Sequence, residues 1–163
     1  MKIIGIFLIL SSLNAISMEM KKGDYAIYRV FNEYGTKLIK KEIKEIKATR
    51  VPSLKRITYV RYNMNLSGEV ISKRTIEKLS DFITYTTNIN DYCENKKGLL
   101  TTLELNGKNF NSCKLVFEGT SSLGSNTWIG ENIPFGVLKY TLTSNNKIDS
   151  QWHLIEYNGN LID

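Results

Sequence analysis

"KLIKKEIKEIKA", residues Lys37–Ala48, is the stretch on which the fold class turns. Ile39, Ile43 and Ile46 stand at helical spacing, and the charges between them suit i,i+4 pairs along one helix face. Two features oppose a helix. The stretch follows directly on "YAIYRVF" (Tyr25–Phe31), rich in aromatic and β-branched residues, and on a Gly-containing turn at "NEYGTK", with no N-cap. We read residues 37–48 as a strand, the helix being the alternative.

The chain on either side gives the same β signal. In "RITYVRYNMNLSGEVISKRTI", Ile57, Tyr59 and Arg61 alternate with Thr58, Val60 and Tyr62, and Ser67-Gly68 marks a hairpin reversal. "IEKLSDFITYTTNIND" carries Ile76, Leu79 and Ile83 at helical spacing, which suits a short helix or a turn. In "LLTTLELNGKNFNSCKLVFEG", Asn106-Gly107 is the dipeptide of a type I′ hairpin turn. A two-residue loop there pairs Leu103 with Phe110 and Leu105 with Lys108. That register puts Cys113, Leu115 and Phe117 on the face opposite Phe110, so an irregularity near Asn111-Ser112 is expected to return them to one side. "GVLKYTLT" and "SQWHLIEYNGN" alternate in the same way.

Between Trp128 and Val137 the strand signal breaks at Ile133-Pro134-Phe135-Gly136. Pro134 fixes φ for the second position of a four-residue turn, and Gly136 suits the fourth. We read this as a corner, with Trp128 and Phe135 packing across it. The fold class is therefore mainly β: a single curled antiparallel sheet, half-barrel or barrel-like, laid out as a meander with at most one or two short helices.

The first residues set the expected compartment. "MKIIGIFLILSSLNAIS" has a basic Lys2, an apolar run and small residues at Ala15 and Ser17, the layout of a secretory signal cleaved after Ser17. The run is shorter than the ~20 residues that span a bilayer, and no Cys stands near the cleavage point for lipid attachment. Residues 18–163 then form one β-rich domain, exported to the periplasm or beyond and not lipidated. In such a compartment Cys93 and Cys113 favour one structural disulfide, worth roughly 3 kcal/mol on the chain-entropy model.

The formal net charge is +6, and much of the excess lies between residues 37 and 61, in Lys37, Lys40, Lys41, Lys44, Lys47, Arg50, Lys55, Arg56 and Arg61. The default reading is a solvated strand face; an anionic membrane surface is the alternative. Nucleic acid is not expected, for want of stacking aromatics among these charges and of Gly-rich RNA motifs.

Catalytic and metal-binding patterns are missing. His153, the single histidine, sits mid-strand, and no nucleophile elbow, Walker loop, H-E-x-x-H or C-x-x-C occurs. Asp24, Asp81, Asp91, Glu104, Glu118 and Glu131 fall mostly at turns or strand ends. We expect no enzyme activity, no cofactor and no metal site. An apolar set remains: Phe82, Leu103, Phe110, Phe117, Trp128, Phe135, Leu138 and Trp152 could line a ligand site in an incompletely filled sheet, or simply form the core.

The run "NGKNFNSCKLVFEG…TWIGENIPFGVLKYT…WHLIEYNGN" resembles a pattern in bacterial exported proteins. There a Gly-x-Phe-type hairpin precedes a strand, and Trp leads through a short gap to Val/Ile-Pro-x-Gly. The matching residues are Gly107, Phe110, Cys113, Trp128, Ile133, Pro134, Phe135 and Gly136, with Gly23-Asp24-Tyr25 and Tyr28 resembling the first strand. The pattern is similar to the half-barrel periplasmic group that includes the lipoprotein-localisation carriers. That resemblance implies a curved antiparallel sheet whose concave face holds acyl chains in the carriers. This chain lacks their long amphipathic helices. The expected role is a non-catalytic exported protein binding an apolar, lipid-like ligand or an envelope partner on the concave face. The alternative is a structural or interaction protein of the envelope.

Overall fold

The computed structural model describes residues 20–51, 54–80, 88–119, 122–145 and 147–162. The expected signal segment and Phe82 lie outside them. Four strands come first: β1 (Tyr25–Asn32), β2 (Gly35–Ala48), β3 (Lys55–Met64) and β4 (Val70–Ser80). A short helix, α1 (Ile89–Asn95), precedes β5 (Leu99–Leu105), β6 (Lys108–Glu118), β7 (Leu123–Gly130), β8 (Val137–Ser144), β9 (Lys147–Tyr157) and the two-residue β10 (Asn160–Leu161). All the pairings are antiparallel, in the order β4-β3-β2-β1-β9-β8-β7-β6-β5, with β10 also on β9. The sheet is open, with β4 and β5 at its two ends.

One continuous meander, as the sequence suggested, would have set β4 beside β5. Instead two meanders meet where the first strand joins the last long one, through Tyr28↔Leu154 and Val30↔Trp152. The connection after β4 contains a helix that packs on β6, so it cannot act as a tight hairpin. The helix also lies elsewhere than Ile76–Ile83 suggested. Ile76 and Leu79 are strand residues of β4, and α1 begins after Asn88, whose side chain accepts from the backbone N–H groups of Asn90 and Asp91 at 3.0 and 3.2 Å.

β2 settles the opening ambiguity as strand. Its register against β3 shifts between Ile43 and Glu45, leaving Lys44 as an extra residue. Ile39 and Ile43 share a face by simple alternation, and the bulge returns Ile46 to that face opposite Ile57. The helix-like spacing of the three isoleucines is thus the signature of a bulged strand.

The β5–β6 hairpin pairs Leu103 with Phe110 and Leu105 with Lys108, as Asn106-Gly107 predicts. The expected irregularity near Asn111-Ser112 is absent, and the register runs unbroken to Leu99↔Lys114. No bulge is needed, because part of each side of this hairpin finds cover. Cys113 packs with Ile89, Cys93 and Ile129 beneath α1, while Leu103, Leu105 and Phe110 join the principal core. Cys93 and Cys113 are bonded, with their Cα atoms 5.2 Å apart.

That principal core unites Ala26, Tyr28, Val30, Ile39, Ile133, Leu138 and Leu154 with Leu105 and Ile162. Leu105 on the terminal strand and Ile39 on β2 have five strands between them in sheet order, so one cluster can hold both only if the sheet curls. A second cluster of Met20, Ile43 and Ile57 packs against Ile46, Tyr59 and Phe135.

Candidate functional site

Directly opposed residues of an antiparallel sheet share a face, so the register itself draws the site. Lys41 on β2 stands opposite Arg61 on β3, which stands opposite Arg74 on β4. Tyr59 lies between Ile43 and Ile76 on the same face. On the other side of β2 this face continues through Tyr28, Trp152 and Tyr140, whose rings meet at 5.9 Å (Tyr28–Trp152) and 6.2 Å (Tyr140–Trp152). We call it the inner face.

The corner between β7 and β8 closes over one part of this face. Ile133 to Gly136 form a turn in which the Gly136 N–H donates to the Ile133 carbonyl at 2.8 Å. Pro134 is fully buried, and Phe135 takes a left-handed φ of +64°. Most side chains avoid that conformation, at a cost of about 1–2 kcal/mol. The expected Trp128–Phe135 staple does not form as a ring contact. The Phe135 ring instead meets Tyr59 edge to face at 5.4 Å.

The Lys41 ammonium lies in the aromatic enclosure so formed. It is 5.2 Å from the Trp152 ring centre, 5.3 Å from Tyr28 and 5.6 Å from Phe135. The Arg61 guanidinium lies 5.5 Å from the same Trp152 ring. Burial, followed by repulsion from Arg61 and Lys78, lowers the Lys41 pKa to about 8. Burial also raises the pKa of the Tyr28 phenol. Among the described residues, the buried Tyr28 hydroxyl and Arg61 Nε have no hydrogen-bond partner, nor does the Asn63 amide oxygen, although Asn63 donates to Ser72 at 2.8 Å.

The basic residues of 37–61 are therefore not one solvated face. Lys40 and Lys44 pair with Glu42, and Lys47 with Glu45, so part of the excess is neutralised locally. Glu42 alternates to the outer side, opposite Val60 and away from Lys41 and Arg61.

The apolar set read from the sequence is divided. Leu138 is a fully buried core residue, and Leu103, Phe110, Trp128, Phe135 and Trp152 pack around the same core. Phe117 stands apart on β6, 61% exposed. The Trp128 ring is flanked by the Lys114 and Lys139 ammonium groups, each at 5.2 Å. His153 lies opposite Arg29 and Lys139 with its ring 5.6 Å from Phe31, on the face turned away from Trp152. A shallow depression lined by Asn90, Leu100, Thr101, Thr102, Asn111 and Ser112 includes none of the apolar set.

Lys41, Arg61, Tyr28 and Tyr59 were missed as site residues. The signal was present: once residues 37–48 are read as strand, Lys41 falls between Ile39 and Ile43 on the apolar parity. Arg61 likewise follows Ile57 and Tyr59.

No family model matches this chain, and no curated protein matches it. Solved structures do. A candidate exported protein with a YmcC-like fold from Bacteroides fragilis aligns with a TM-score of 0.60 at 10% identity, covering 87% of this chain and 98% of its own. A candidate lipoprotein from Parabacteroides distasonis aligns with a TM-score of 0.56 at 12% identity, covering 86% and 97%. The Pseudomonas aeruginosa MucA/MucB complex aligns at a TM-score of 0.49 and 6% identity over 85% of this chain and 52% of that one, too loosely to carry weight. At these identities the likeness is one of fold, shared along nearly the whole length of the first two proteins.

Proposed function

We propose that this is an exported, non-catalytic binding protein that takes an apolar, lipid-like ligand on the inner face of its open sheet. The observation that carries this reading is the inner face itself. Phe135 covers one end, while Tyr59, Tyr140 and Trp152 remain only half-buried beside it. Half-exposed aromatic rings on the inside of an open, curled sheet offer contact area without further unfolding. The fold likeness to candidate exported proteins of Bacteroides and Parabacteroides supports the compartment, as does the signal-like start of the sequence. The Trp…Ile-Pro-x-Gly corner belongs to this reading as the marker of the fold group. Native mass spectrometry of the protein isolated from its own envelope tests it. Retained lipid is the expected result, and a bare polypeptide mass under conditions that preserve a control lipid carrier would end the reading.

A second reading rests on the β5 end of the sheet. Leu99 and Leu100 are 63% and 52% exposed there, next to Val116 and Phe117 at 58% and 61%. Exposed apolar residues on a terminal strand suit an envelope protein that adds to the edge. Co-purification of one stoichiometric protein partner, released by charged substitutions at Leu100 and Phe117, would favour it.

A further inference from the structure

Three cations from three adjacent strands meet on the inner face, and among the described residues no acid stands directly opposite any of them in the register. Lys41, Arg61 and Arg74 are direct cross-strand neighbours, an arrangement that destabilises a sheet when nothing of opposite charge intervenes. Lys78 adds its repulsion to that of Arg61 on Lys41. Among the described residues, the ion pairs of β2 involve Glu42 and Glu45 with Lys40, Lys44 and Lys47, none of them with Lys41.

Two of the cations are also held at a desolvated aromatic wall. Lys41 and Arg61 share the Trp152 ring, and Tyr28 and Phe135 complete the surround of Lys41. Two hydrogen-bond donors close by, the Arg61 Nε and the fully buried Tyr28 hydroxyl, have no partner among the described residues. Buried donors left unpaired are rare in folded proteins and cost stability. Phe135, whose ring borders the site, is held in a left-handed backbone conformation, and such strain gathers at binding sites. The site stays reachable, since Arg61 and Trp152 are half-buried and Arg74 is exposed.

Resting on the apolar-ligand reading, we propose that Lys41 and Arg61 bind the anionic group, carboxylate or phosphate, of an amphiphile whose apolar body lies along Trp152, Tyr59 and Phe135. The anion supplies the missing counter-charge and accepts from the unpaired donors. Arg74 and Lys78, toward the sheet edge, draw it in. Two cations suit either a carboxylate or a phosphate oxygen pair.

Calorimetric titration of the full protein with dodecanoate, dodecyl phosphate, dodecanol and inorganic phosphate tests this, with Lys41→Met and Arg61→Leu as variants of retained bulk. Expected is binding of dodecanoate or dodecyl phosphate at least tenfold tighter than dodecanol or inorganic phosphate, and a loss of tenfold or more in each variant. The variants' thermal melts show that they are folded. Dodecanol binding as tightly as the anions, or variants that bind the anions unchanged, would overturn the cation site and leave the apolar reading standing. Inorganic phosphate binding as tightly as dodecyl phosphate would overturn the amphiphile. No binding by any chain would overturn the inference together with the reading beneath it.

Discussion

The rings of Phe135 and Tyr59 lie 5.4 Å apart, although β2, β1 and β9 separate β3 from β8 in the sheet. In a flat sheet those two strands would be about 19 Å apart, four spacings of roughly 4.8 Å. The β7–β8 corner therefore folds across the inner face, and the curl of the sheet brings Tyr59 up to meet it. Phe135 replaced by Ala loses the ring and keeps an unfavourable φ, which should cost about 2–3 kcal/mol in urea unfolding. Phe135 replaced by Gly loses the same ring and relaxes the backbone. Glycine should therefore be the milder substitution by about 1 kcal/mol.

Gly98 sits where α1 hands over to β5. A Cβ there would lie 2.9 Å from the Cys93 sulfur and 2.8 Å from Leu115 Cδ2, and closer still to the Cys113 sulfur. Gly98→Ala must displace the disulfide or the helix, at a cost of about 2 kcal/mol or more. Thiol titration of the purified variant should find free Cys93 and Cys113 in a measurable fraction, and intact protein should show none.

Removing the bridge itself tests a different quantity. Cys93 and Cys113 are separated by 20 residues, so the double replacement by Ala should lower the unfolding free energy by about 3 kcal/mol on the chain-entropy model. The sheet order should survive, because β6 keeps its pairing to β5 and β7. Far-ultraviolet circular dichroism unchanged at low urea, with an earlier midpoint, is the expected pair of results.

Lys41 and Tyr28 make stability pH-dependent in opposite senses. Lys41 falls from an ordinary 10.5 to about 8 in the folded chain, through burial and then Arg61 and Lys78. Between those values the unfolded chain binds the proton more readily, so stability should rise as pH climbs from about 8 toward 10.5. Burial raises the Tyr28 phenol above its ordinary 10.0, so above pH 10.0 only the unfolded chain ionises and stability should fall. A maximum near pH 10 follows. Lys41→Met should abolish the rise and stabilise the protein at neutral pH by up to about 3 kcal/mol, read by urea unfolding across pH. Tyr28→Phe should leave the rise and weaken the fall.

Much of the fold was legible because hairpins are local. Asn106-Gly107 set the β5–β6 pairing, and Ser67-Gly68 the reversal between β3 and β4. The same signal at Asn158-Gly159, both at positive φ, marks β10 and passed unread. The site was less legible. Its apolar members were visible as aromatic residues, but residue type alone could not say which lie on the inner face. Trp128 and Trp152 look equivalent in sequence, yet Trp128 lies opposite Lys139 while Trp152 lies opposite Tyr140 on the other side.

The sequence alone determined most of the strands, the hairpin turns at Ser67-Gly68 and Asn106-Gly107, the partner of each cysteine and the corner at Pro134. Each depends on residues a few positions apart, or on a pair with no other choice. Only the tertiary structure decided that β1 joins β9, that Lys44 bulges, and that Phe135 crosses the sheet to Tyr59. These outcomes depend on which buried surfaces fit together across more than a hundred residues of chain, information that no local period carries. The place of Lys41 is the sharpest instance. Its neighbours Ile39 and Ile43 put it on the inner parity, but Trp152 and Phe135, which make that position an enclosure, arrive from the far end of the chain.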